Sequence, residues 1–220
     1  MKSFLLSVAV SIGTGALGLA APAWAQVEEM RVGANIHDID WSGLGNGGDK
    51  ERSVALNAGI VFAESDILKW ALSPQPYIGG ALNLGGETSY GGAGLLWRQT
   101  FGDRVYFDYA FGLVAHDGTL EAEASELVQR VASANGMADL TTAEAQQFLA
   151  DLEDFRFRQR NEIDFGSRIL FQNEFALGLR VSDGLSVQAF VTHLSHGRIL
   201  APNAPNEGLD TLGFRVARHF

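Results

Sequence analysis

From Ile163 to Ser182, apolar and polar side chains alternate almost without interruption. Ile163, Phe165, Ile169, Phe171, Phe175, Leu177, Leu179 and Val181 share one parity, joined only by the uncharged Ser167 and Asn173. The other parity carries Asp164, Arg168, Glu174 and Arg180 among small and polar residues. Successive side chains of a strand point to opposite faces, so this stretch predicts one long strand with a single apolar face. Few strands in water-soluble sheets run so long, whereas a barrel that projects beyond a bilayer uses that length. Parity alone leaves the sense of the barrel open. A soluble barrel turns its apolar face inward and a membrane barrel turns it toward lipid.

The two ends of the chain favour the membrane sense. Lys2 gives a positive start, Phe4 to Ala21 form an uncharged apolar stretch, and Ala23-Trp24-Ala25 is a small-x-small cleavage signal. Residues 1–25 therefore read as a secretory signal peptide, and residues 26–220 as the exported domain beginning at Gln26. Beyond this segment there is no long apolar run, so membrane entry requires a closed barrel in which every backbone group is paired. The last strand reads Leu212, Phe214, Val216, Arg218 and Phe220 on one face. Its terminal aromatic resembles the signal by which outer-membrane barrels are recognised for assembly.

The remaining strands are expected at Glu28–Ile39, Ser53–Ala63, Tyr77–Leu84, Ser89–Phe101, Val105–His116, Leu185–Ser195 and Leu209–Phe220, with tight turns at Gly102-Asp103 and Asp183-Gly184. The fold class is thus all-β, an eight-stranded antiparallel transmembrane barrel, and an even count returns both termini to the periplasmic side. Asp108, Asp164, Arg168, Glu174, Arg180 and Arg215 are expected to face a packed polar interior with internal ion pairs. Trp41, Trp70, Trp97, Tyr77 and Tyr90 are candidates for interfacial belts. Residues 118–160 break the pattern. Thr119 to Asn135 predicts a helix with Leu120, Leu127, Val128 and Val131 apolar and Gly136 after its end. A second helix begins at the capping box Thr141–Glu144, with a stripe of Phe148, Leu149, Leu152 and Phe155. By strand count this insertion lies outside the cell, either as a lid over a site or as a hairpin on the barrel rim.

The net charge of −10 argues against a nucleic-acid partner. With no cysteine there is no thiol nucleophile. In Thr192-His193-Leu194-Ser195-His196, His193 and Ser195 are two apart and so share a face, the apolar one that also holds Leu185, Val187, Ala189 and Val191. A His and a Ser ending a lipid-facing row make sense if the substrate is a lipid, with His193 taking the Ser195 proton for attack on an acyl ester. Asp210 has the parity of the outward face of the next strand and can stand beside His193. Glu207, in the Asn206-Glu207-Gly208 turn, is the competing acid.

The run His193-Leu194-Ser195, followed by Pro205-Asn206-Glu207-Gly208-Leu209-Asp210, resembles the lipid A 3-O-deacylase family, whose pattern is H-x-S-N and then N-x-G-x-acid. The resemblance implies an eight-stranded outer-membrane barrel that removes an ester-linked 3-hydroxyacyl chain from lipid A of lipopolysaccharide, without metal or cofactor. It implies Ser195 as nucleophile, His193 as general base, Asp210 as the orienting acid, and Asn206 and Gly208 as the family's turn. The family Asn after the nucleophile is replaced by His196, whose ring could donate to the oxyanion. Arg198 could pair with a lipid phosphate. Other readings are a non-catalytic structural or adhesive barrel with the insertion as its binding element, and a soluble lipocalin-like carrier with its apolar faces inside. The oligomeric state is left open, a homodimer included.

Overall fold

The computed structural model describes residues 26–39, 50–64, 66–134 and 140–220. The expected signal segment 1–25, Trp41 and Gly136 lie outside the described residues. Eight strands form: β1 Val27–His37, β2 Ser53–Phe62, β3 Gln75–Asn83, β4 Tyr90–Phe101, β5 Val105–His116, β6 Ile169–Ser182, β7 Leu185–Ser195 and β8 Leu209–His219. Each pairs antiparallel with its sequence neighbour, and β8 returns to β1 with Glu29 opposite His219 and His37 opposite Thr211. The barrel is closed, so no edge strand is left to seek a partner.

The alternation resolves into an inside-out barrel. Outward Phe214 is 70% exposed, while inward Asp108 is 1% exposed. The interior is held by ion pairs rather than by oil. Arg31 pairs with Glu29 and, at 2.7 Å, with Asp108. Arg98 reaches Asp108 at 2.7 Å and Glu29 at 2.9 Å, and Arg215 reaches Glu174 at 2.6 Å. Gln188 bridges Arg215 to the Tyr106 hydroxyl. Charges removed from water need such partners, and here both signs are supplied within one plug of side chains. A soluble carrier of apolar ligands requires the reverse distribution.

Four expectations are corrected. β6 starts at Ile169 rather than Ile163, because Gly166 takes φ +68° and breaks the strand. Ile163 and Phe165 are instead fully buried beside Leu170, Leu194 and Leu209, where they cap the barrel mouth. With them, Asp164 and Arg168 move from the interior wall to the mouth, whereas Arg180 keeps the inward parity as expected, lying 5.7 Å over the buried Tyr106 ring and donating to the Asp103 carbonyl at 3.4 Å. Tyr77 and Tyr90 face the interior, and the Tyr77 hydroxyl donates to Gln172 at 2.8 Å. Trp97 and Trp70 do lie outside, Trp97 stacked on Tyr109 and Trp70 83% exposed.

The insertion forms two helices, α1 Glu126–Ala134 and α2 Thr142–Asn161. The first is shorter than the periodicity predicts, since residues 119–125 are irregular. The second begins at the expected capping box, Thr141 and Glu144 each bonding the other's backbone N–H. Val128, Val131 and Phe148 form a small core of their own, with Leu127 and Leu152 against it, while Leu149 is exposed. The hairpin thus packs chiefly on itself. Its return segment, 162–166, enters the mouth.

Candidate active site

Strand register sets the site. β7 and β8 run antiparallel with His193 directly opposite Asp210, and both side chains point outward. The His193 Nδ1–Asp210 Oδ1 distance is 2.7 Å. A carboxylate only accepts, so Nδ1 carries the proton and Nε2 is left as an acceptor. Ser195 lies two residues along the same strand and face, and its Oγ donates to Nε2 at 3.1 Å. Hydroxyl, imidazole and carboxylate therefore stand in line, in the tautomer that takes a proton from the hydroxyl. Asp210 is only 13% exposed at its side chain and His193 38% exposed, so the acid is shielded behind the base.

Gly208 makes room for this row. Its φ of +76° suits glycine. A methyl group there would lie 3.1 Å from the Leu194 carbonyl and 3.3 Å from His193 Cε1. The loop carrying it is tied down from several sides. Asn206 Oδ1 accepts from the His196 backbone N–H at 3.1 Å. Glu207, the alternative acid, points elsewhere: Lys50 Nζ donates to both its oxygens at 2.7 Å, and the Asp164 N–H donates to it at 2.9 Å. Burial raises the Asp164 carboxyl above the ordinary carboxylate range. The adjacent Glu207 charge adds to the rise, against the Ala122 N–H, which bonds Asp164 at 2.9 Å and lowers it.

His196 departs from the expectation of an oxyanion donor. Its ring is fully buried, Nδ1 accepts from the Arg198 N–H at 3.1 Å, and Nε2 donates to the Pro205 carbonyl at 2.8 Å. Both nitrogens are engaged in shaping the β7–β8 loop, which leaves neither for a substrate. Arg198 itself sits at the turn with φ +57° and an exposed side chain.

Sequence reasoning missed Asn173. It pairs opposite His193 on the β6 side, and with Phe175, Val191 and Asp210 it lines a groove of about 330 Å³. The Tyr109 hydroxyl donates to its Oδ1 at 3.0 Å. The signal was present, since Asn173 is a polar residue in an otherwise apolar outward row. Further along β7 a second, larger trough of about 620 Å³ follows the same outward face over Ala189 and Val187. Ala189 is its floor, with Leu177 opposite on β6 and Phe214 opposite on β8.

A family model described as lipid A 3-O-deacylase (PagL) matches residues 93–219, which includes every residue of this row. Among solved structures, the chain is similar to the outer membrane enzyme PagL, with 15% identity, a TM-score of 0.48, and coverage of 87% of this chain and 97% of that one. It is similar to Neisserial surface protein A at 10% identity and TM-score 0.46, covering 87% and 96%. It is also similar to the Yersinia pestis outer membrane protein Ail at 8% identity and TM-score 0.39, covering 86% and 99%. No curated protein matches the sequence.

Proposed function

Since this chain belongs to the lipid A 3-O-deacylase family, we propose that it is a serine esterase of the outer membrane that releases a 3-hydroxyacyl chain from the 3-position of lipid A. Membership makes it an outer-membrane lipid A deacylase barrel. The finer assignment rests above all on one observation, the outward line of Ser195, His193 and Asp210 at 3.1 and 2.7 Å. Outward placement suits a substrate that stays in the bilayer.

In this mechanism Ser195 Oγ attacks the ester carbonyl while His193 Nε2 takes the hydroxyl proton. The tetrahedral intermediate collapses, His193 returns the proton to the departing sugar oxygen, and the acyl chain remains on Ser195. Water, activated by the same imidazole, then releases the fatty acid and restores the hydroxyl. Asp210 stays ionised throughout, holding the ring and balancing the transient imidazolium. No metal or nucleotide enters any step. The trough along β7 offers the acyl chain a bed. From His193 to Val187 the groove and the trough together follow β7 for about 20 Å at roughly 3.3 Å per residue, with mostly apolar walls. The helical insertion and the triad share one end of the barrel, which by the even strand count is the cell exterior, level with the outer leaflet.

The test is mass spectrometry of lipid A from cells expressing wild type or Ser195→Ala at equal outer-membrane levels. Loss of one hydroxyacyl chain with wild type and full retention with Ser195→Ala is the expected result. Equal profiles from both proteins, in cells and in mixed micelles, would leave a non-catalytic barrel as the better account.

A further inference from the structure

At the triad end, the return segment of the insertion is tied to the described residues of neighbouring loops. Ile163 N–H donates to Glu51 Oε1 at 3.1 Å, joining the segment to the β1–β2 loop, and Glu51 Oε2 accepts from Thr88 N–H at 3.2 Å, joining the β3–β4 loop. The segment holds to the insertion's own outgoing stretch through Phe165 N–H to Thr119 O and Gly166 N–H to Leu120 O, at 3.2 and 2.6 Å. On the β7–β8 loop it meets Glu207. Asp164 and Glu207 bond twice, Asp164 N–H to the Glu207 carboxylate at 2.9 Å and Glu207 N–H to Asp164 O at 3.2 Å. Lys50 clamps the same carboxylate from the β1–β2 loop. Gly166, at φ +68°, packs so closely on the loop that a methyl group there would overlap the Pro205 carbonyl. The residue after Glu207 is Gly208, where a methyl group would lie 3.3 Å from His193 Cε1, and Asp210 follows two residues later.

We propose that Glu207 is a positioning residue for the deacylation, pinning the β7–β8 loop to Lys50 and to the insertion's return segment so that Gly208 and Asp210 hold His193 in line with Ser195. This rests on the esterase reading given above. It also gives the helical insertion a task at the triad that needs no contact with substrate. The chemistry asked of Glu207 is narrow. Its Oε2 must accept the Asp164 N–H, which an amide oxygen does as well. Its charge serves only the pair with Lys50, in which the two side chains are 18% and 28% exposed, a setting where an ion pair contributes modestly.

The experiment compares wild type, Glu207→Gln, Glu207→Ala and Lys50→Met, all refolded in detergent with closed barrels verified by heat-shifted gel mobility. Two readouts are taken, kcat and KM on purified lipid A, and the downfield proton resonance of the His193 Nδ1–H in its bond to Asp210. Glu207→Ala is expected to shift or broaden that resonance and to lower kcat with little change in KM, by up to about 100-fold if the ring moves by some 1 Å. Glu207→Gln is expected to keep the resonance and to retain activity within a few-fold, and Lys50→Met to fall between the two. An unchanged resonance and kcat in Glu207→Ala would overturn the proposal. So would a Glu207→Gln as inactive as Asp210→Asn, which would make Glu207 the acid itself. The resonance needs no turnover. It therefore tests the positioning role even if wild type proves inactive on lipid A, an outcome that would count against the esterase reading alone.

Discussion

Asp210 illustrates how much one side chain decides. It fixes which imidazole nitrogen of His193 carries the proton, and so which is free to act as base. Asp210→Asn keeps the volume but removes the charge and permits the opposite tautomer. The expected outcome is a loss on the order of 10⁴-fold in kcat, by analogy with the same change in serine proteases, with the barrel intact by circular dichroism and KM little altered. Glu207→Gln should lose far less. This residue-scale logic was legible before any coordinates, because parity places His193, Ser195 and Asp210 on one face. His196 was not legible. Its ring bonds depend on how residues 197–205 fold, and no periodicity reports that.

At the scale of elements, β7 and its two neighbours make both the row of Ser195, His193 and Asp210 and the trough beside it. Ala189 is small between Leu177 and Phe214, and its size keeps the trough open. Ala189→Phe fills that space without touching His193. The expected effect is a raised KM for long acyl chains, with short-chain esters hydrolysed as before. Competition assays with esters of graded length would check it, and equal loss on all lengths would argue against an acyl bed there. The alternation showed β6 and β7 as strands. It misjudged the start of β6 because Ile163 and Phe165 have the parity and apolarity of the lipid-facing row yet serve as a cap. Hydrophobic pattern records burial from water and does not distinguish lipid from protein as the cover.

For the molecule as a whole, stability rests on a charged interior. Asp108 is shared by Arg31 and Arg98, and all three are largely hidden from water. Asp108→Leu would leave two guanidiniums with Glu29 as their principal acid. Breaking such a pair costs about 3–5 kcal/mol, and urea titration in micelles followed by tryptophan fluorescence should show a midpoint lowered to match. The sequence predicted a polar interior but identified only Asp108, Glu174, Arg180 and Arg215 of its charged members. Glu29, Arg31 and Arg98 join them through barrel closure and strand register, and both are properties of the assembled sheet.

If Ser195, His193 and Asp210 act as proposed, their outward line also sets the kinetic dimension in which this protein works. Its substrate arrives by lateral diffusion in a two-dimensional sheet. The governing concentration is thus a surface density, the mole fraction of lipid A among its neighbours, and bulk molarity matters little. Inert lipid would slow the reaction by dilution within the plane, and the freed fatty acid would leave sideways along the same plane it came from.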